Sequence, residues 1–331
     1  MPRASSRRLT PSRRAPQIQY TLTDLGPFLP FGLSPTSTHV VGSTLNPQLA
    51  YILHPIVQNL GTLGGDYSRA NGVHETDVVG YASLGAFTHA FRWRPSTGME
   101  DLFTVDPDDT TLFSAATAIN AFGAICGYGD NPTRQTTIPL VWPSGGGFPL
   151  MLPTPNNSGH AYALNDLGDI AGSHNDAVTN QMHASLWPVG GGIVDCHTTG
   201  NFSMAFGVNA NLQVVGNTFT LTGARGFMWT STTGMELLNP LYADTQSGAT
   251  GINTAGVIVG SSSTPGASAG AMGHQAATRW TNGIVEDLNL LAGQPFGWTL
   301  LAAVAINTAG MILGQGAFNG IRHAFLLTPI P

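Results

Sequence analysis

A chain of 331 residues with 42 glycines, 22 prolines, 42% hydrophobic residues and only 9% charged ones has the make-up of a turn-rich β protein, one large domain or two average ones. That apolar content supplies a sizeable core and excludes a disordered body. The chain has no lysine, and beyond residue 15 seven arginines face 18 acidic residues, a net charge of −11 (7 minus 18). Such a body excludes a nucleic-acid partner, whose phosphates require neutralising Arg or Lys.

Residues 1–19 begin MPRASSRRLTPSRRAP, basic, rich in Pro and Ser and without an apolar period, which predicts a disordered arm. A nucleic-acid or membrane tether is the alternative reading of its charge. The Arg7–Arg8 pair is similar to a twin-arginine signal but lacks the apolar stretch that follows one. No run of about 18 apolar residues occurs, so no membrane span is expected.

From Leu33 onward one short signature returns seven times: an apolar residue, usually Asn, a turn, two or three apolar residues and Gly. It stands at Leu33–Gly42, Val73–Gly80, Ile119–Gly127, Leu164–Gly172, Val208–Gly216, Ile252–Gly260 and Ile306–Gly314, with starts 40, 46, 45, 44, 44 and 54 residues apart. A period of this size marks a repeat architecture. Within each unit the apolar runs parse as four short strands. In the second these are Ser68–Val73, Asp77–Tyr81, His89–Trp93 and Met99–Leu102, here named a to d, with tight Asn/Gly turns between a and b and between c and d. Four antiparallel strands in 40–45 residues is the size of a propeller blade.

Strand a carries small residues at two positions in nearly every unit: Ala70, Ala116, Ala161, Ala205, Ala249 and Ala303, then Gly32, Gly72, Ala118, Ala163, Gly207, Gly251 and Ala305. This suits the crowding where blades converge on an axis, because positions two apart share a strand face. Strand c ends on Trp93, Trp142, Trp187, Trp229 or Trp280, the bulk needed where wedge-shaped blades diverge. A sugar- or base-stacking role for these Trp is the alternative, disfavoured by their periodicity. The last unit stops after its third strand, and Thr21–Leu25 looks like an orphan fourth. The expected fold is therefore all-β: a seven-bladed β-propeller of four-stranded antiparallel blades spanning 20–331, closed by the N-terminal strand, which removes exposed sheet edges. The units run approximately 27–60, 61–102, 103–152, 153–196, 197–238, 239–288, and 289–328 plus 20–26.

HAFRW with GMEDL, LGTLGGDYSRA at Leu60–Ala70 and INTAGVIVG together resemble the HAF family of extracellular repeat proteins, over Tyr20–Thr328. The resemblance implies an extracellular setting, although only His89, His183 and His323 keep the motif histidine. It carries over a repeat signature and no catalytic residue.

Chemistry is sparse. His89, His183 and His323 open strand c, while Asp24, Asp101, Asp195 and Asp287 end strand d. A His beside an Asp suits general-base work, but a pair recurring around a ring reads as a structural hydrogen bond. No metal-ligand spacing, Gly-x-x-x-x-Gly-Lys loop or nucleophile elbow is present, and neither cofactor nor metal is expected. The acids of Val105–Asp109 lack the staggered spacing of a calcium loop. Cys126 replaces apolar residues of other repeats and reads as a small buried hydrophobe; a bridge to Cys196 is the alternative.

The b–c and d–a connections are long and irregular and emerge on one face of the disc. Binding residues concentrate on such loops, making Asp106, Asp108, Asp109, Asp130, Arg134, His174 and Asp176 the candidates. The expected function is a monomeric, non-catalytic module that binds extracellular glycan or protein on the loop-rich face, the acidic body favouring a neutral or cationic ligand. The alternative is a polysaccharide lyase or hydrolase with its site on that face.

Overall fold

The computed structural model describes residues 18–331 apart from 107, 110, 134, 135 and 266–272. Met1–Gln17 of the expected arm and the candidate Arg134 thus lie outside the described residues. Seven four-stranded antiparallel sheets form a seven-bladed propeller, each running a-b-c-d. Blade 1 contains Leu29–Leu33, Val40–Ser43, Ala50–His54 and Gln58–Gly61; blade 2 contains Ser68–His74, Asp77–Leu84, Phe87–Arg94 and Gly98–Asp101. Strand d shrinks to Leu150–Met151 in blade 3 and Val194–Asp195 in blade 4. The one helix among the described residues is Leu288–Leu291, capped by Asp287, whose side chain accepts from Asn289 N. No helix among them is long and apolar enough to cross a membrane.

The N-terminal strand closes the ring. Tyr20–Gly26 pairs with Ile321–Pro329 from Tyr20↔Pro329 to Gly26↔Ala324, supplying strand d of blade 7. Arg279 of blade 6 donates to Tyr20 Oη at 2.8 Å and to Gln19 Oε1 at 2.6 Å. Gln19 N also donates to Leu291 O, so Gln19, the last residue of the expected arm, belongs to the closure.

The small residues of strand a have a more specific cause than a shared strand face. In all seven blades the a–b register shifts between them, as between Ala70 and Gly72 or between Ala161 and Ala163. The intervening residue bulges out of the ladder. These bulged residues, Phe31, Asn71, Thr117, Tyr162, Phe206, Thr250 and Val304, line the central channel. The second small residue instead meets the next blade. A Cβ on Gly72 would lie 2.8 Å from Thr117 O and 3.0 Å from Ala118 Cα, closer than non-bonded atoms approach.

Three side-chain devices join one blade to the next. Trp142, Trp187 and Trp280, nearly fully buried, donate through Nε1 to Leu102 O, Pro153 O and Asn239 O on the chain leaving the preceding blade. Ser68, Ser114, Ser203 and Ser247 accept from the strand-c backbone N–H of the preceding blade at 2.9–3.1 Å. In blades 3–7 the Asn of the a–b turn accepts from its own turn and donates Nδ2 onward: Asn120 to Asn165 O, Asn165 to Asn209 O, Asn209 to Asn253 O, Asn253 to Asn307 O, and Asn307 to Ser37 O. A buried amide so satisfied on both sides is costly to replace. Cys126 and Cys196 are free and buried, and burial pushes the Cys126 thiol up to about 12.

Candidate functional site

Strand a starts on the face where the b–c and d–a connections emerge, and there the axial channel widens into a funnel of about 720 Å³. Its wall differs from blade to blade although the backbone repeats. The first strand-a residues and their strand-b partners set the wall: Arg69 faces Tyr81 in blade 2 and Ala115 faces Tyr128 in blade 3. In blade 5 Met204 faces Asn217, and in blade 6 Gly248 faces Ser261. Blades 2–4 thus present aromatic rings where blades 5 and 6 present small or polar groups.

The rings form a continuous arc. Phe113 lies 5.8 Å from Tyr128, Tyr128 4.6 Å from His160, His160 5.7 Å from Tyr162 with planes 7° apart, and Tyr162 5.4 Å from Phe206, all between centroids. In blade 2, beside the start of the arc, the Arg69 guanidinium sits 3.6 Å over the Phe31 ring of blade 1, a cation–π distance, and its Nε is buried without a hydrogen-bond partner. Tyr67 pairs through its hydroxyl with Thr88 Oγ1. Arg69 is the only charged side chain among the described residues lining the funnel, and no carboxylate lines it.

Burial keeps this arc neutral. It pushes the Tyr162 phenol up to about 12 and raises that of Tyr128, while it lowers the His160 imidazole below its ordinary value. His160 Nε2 lies 3.0 Å from Thr137 Oγ1, and its Nδ1 is buried without a partner. The arc can stack on a flat apolar surface and hydrogen-bond to hydroxyls. It does not offer the two carboxylates that most glycosidases require.

The loop acids stand elsewhere. Asp106 Oδ1 accepts from Asp108 N, and Asp109 Oδ1 accepts from Thr111 N and Oγ1, bonds that hold Asp109 below the usual carboxylate range. Asp130 accepts from Phe113 N at 2.9 Å. Asp176 caps its own loop through Val178 N, Thr179 N and Thr179 Oγ1 and is held at about 2. None of these lines the funnel; each accepts bonds within its own loop or blade.

The motif histidines pair within blades: His89 Nδ1 with Asp101 at 2.9 Å, His183 Nδ1 with Asp195 at 2.8 Å, and His323 Nδ1 with Asp24 at 2.9 Å. Asp24, Asp101, Asp195 and Asp287 each also accept, through Oδ1, from the backbone N–H two residues on, the geometry of an Asx turn. Blade 4 adds two imidazoles. His174 is the cross-strand partner of His183, and His197 stacks on His183 at 4.1 Å.

The opposite end of the channel, about 290 Å³, is lined in part by the turn asparagines Asn165, Asn209, Asn253 and Asn307, whose side chains are already engaged between blades. Tyr128, His160, Tyr162 and Arg69 were not singled out from sequence. Tyr162 alone had a signal, as the variable residue between the two small positions of strand a; Arg69 and His160 directly precede that pair, and Tyr128 lies on strand b.

No family model matches this chain, and no curated protein matches it in sequence. Solved structures do match its fold. A streptogramin B lyase structure superposes with a TM-score of 0.60 at 12% identity, over 95% of this chain and 99% of that one. Virginiamycin B lyase from Staphylococcus aureus gives 0.56 at 12%, over 94% and 100%. An oligogalacturonate lyase in complex with manganese gives 0.53 at 12%, over 96% and 99%. At such identity the likeness is one of fold alone.

Proposed function

We propose that this protein is a non-catalytic binding module that takes a glycan in the axial funnel of its loop-rich face. The observation that carries the reading is the arc Phe113–Tyr128–His160–Tyr162–Phe206 with Arg69 in the adjacent blade 2 and no carboxylate in the described lining. Sugar rings present apolar C–H faces to aromatic rings and hydroxyls to phenols and amides. Rigid Tyr side chains bind such ligands at low entropic cost. The acidic body repels polyanions, whereas the funnel's own charge is a single Arg, so the ligand is neutral or carries an isolated anionic group. The cationic ligand expected from net charge has no counter-charge in the funnel. An extracellular setting, supported by the resemblance to HAF repeat proteins, belongs to the same proposal.

The alternative is a polysaccharide lyase or hydrolase at this face. It draws on one observation: His160, neutral at pH 7 because burial lowers its pKa, has an unpartnered Nδ1 and is the one group in the arc fit to take a proton. A glycan array run beside turnover assays on the bound glycans tests both readings. Retention without bond cleavage supports the module, cleavage that His160→Gln abolishes supports the enzyme, and no glycan binding contradicts both.

A further inference from the structure

Blades 2, 4 and 7 share the His–Asp pair between strands c and d, but blade 4 surrounds it differently. Where blade 2 places Ala82 on strand b and Phe91 on strand c, blade 4 places His174 and Ser185. The imidazole fills the space a Phe takes elsewhere and is buried to 3% exposure. Ser185 Oγ donates to His183 O at 3.1 Å and lies 2.7 Å from His174 Nδ1. A hydroxyl has one proton to give, so His174 Nδ1 carries its own and donates it to Ser185. The lone pair is thereby left on Nε2. This is how proteins present a ligating histidine, with one nitrogen bonded to an outer partner and the other bare.

The imidazole is not alone. Donor atoms of His174, His183 and Asp195 lie within 4.8 Å of one another, and Asp195 is 43% exposed, which leaves an entry path. We propose that blade 4 holds a divalent transition-metal ion of the zinc or cobalt type, bound by His174 Nε2, a ring nitrogen of His183 and a carboxylate oxygen of Asp195, with water in the remaining position. Two imidazoles and a carboxylate are a donor set that such ions accept. Donors about 2.0–2.2 Å from the ion require only a small inward rotation of side chains already gathered. The site sits on the rim of the loop-rich face, outside the funnel lining, and stands independently of the glycan reading.

The test uses the full chain, free of any affinity tag and stripped with chelator, titrated with Zn²⁺ by calorimetry and with Co²⁺ by visible absorption. Wild type takes up one equivalent, and Co²⁺ develops a d–d band. Asp195→Asn and His183→Gln each lower affinity roughly tenfold or more, while Asp101→Asn, which alters the same pair in blade 2 without a third imidazole nearby, leaves binding unchanged. Stability measured without metal separates loss of ligand from loss of fold. If His183→Gln does not fold, Asp195→Asn on its part-exposed side chain carries the test. Absence of saturable uptake, uptake indifferent to both blade-4 variants, or equal loss in Asp101→Asn overturns the proposal.

Discussion

Asn165 reaches across the junction between blades 4 and 5 to donate its side-chain amide to Asn209 O at 3.1 Å, while its Oδ1 accepts from Leu167 N and Asp169 N of its own turn. One buried residue therefore shapes a turn and fastens two blades. Asn165→Ala should lower stability by about 1–3 kcal/mol, from buried partners left unsatisfied. Asn165→Asp keeps the turn acceptor but removes the donor and sets a second carboxylate against Asp169 Oδ2, which now lies 2.9 Å from Asn165 Nδ2, so chemical denaturation should find it less stable than Asn165→Ala. Equal stability of all three proteins would show that the asparagine ring contributes nothing.

Closure makes a second prediction. Removing residues 1–17 leaves every Tyr20–Gly26 pairing and the Arg279–Tyr20 bond in place, so the melting temperature should stay put. Removing residues 1–26 strips strand d from blade 7 and bares Ile321–Pro329 as an edge, which should produce aggregation or a large loss of stability. Truncations that melt alike would contradict the role of the shared blade.

The exchange of bulk in blade 4 predicts a compensating pair. His174→Ala should leave a cavity and Ser185→Phe should overpack against the imidazole, each costing about 1–3 kcal/mol. The double variant recreates the Ala82–Phe91 pairing of blade 2 and should recover most of that loss. A double variant no more stable than the sum of the singles would mean that the two positions do not share space.

His160 predicts a pH dependence with a definite sign. Burial lowers its folded-state pKa below the ordinary imidazole value, so the unfolded chain takes up the proton first. Its contribution is complete above about pH 6.5 and is lost as pH falls through the folded-state value. His160→Gln should flatten part of the decline in stability between neutral and mildly acidic pH. An unchanged slope would place the titration elsewhere.

The architecture was legible because it is periodic: seven signatures, the small pair on strand a, the Trp on strand c and the orphan strand at Thr21–Leu25 each restate one geometric constraint. Two things were not. The strand-a bulges are invisible to a period-two reading, and those between Ala161 and Ala163 and between Ala205 and Gly207 are what turn Tyr162 and Phe206 into the channel. The funnel departs from the repeat, and its members Arg69, Tyr128 and Tyr162 come from three consecutive blades whose packing, not their spacing in sequence, brings them together. Acids such as Asp109 and Asp176 drew notice in irregular loops because those loops bend, and in the structure they accept the hydrogen bonds of the bends.

The central claim is that binding resides in the funnel and not in the loop acids. The most direct measurement compares neutral-glycan array binding by wild type, Tyr128→Ala, Tyr162→Ala and the triple change of Asp106, Asp108 and Asp109 to Asn, at matched folded fraction. Funnel variants that lose on the order of tenfold in affinity, about 1.4 kcal/mol, beside a triple variant that binds as wild type, are the predicted result. Full binding by both tyrosine variants with loss in the triple variant would contradict it.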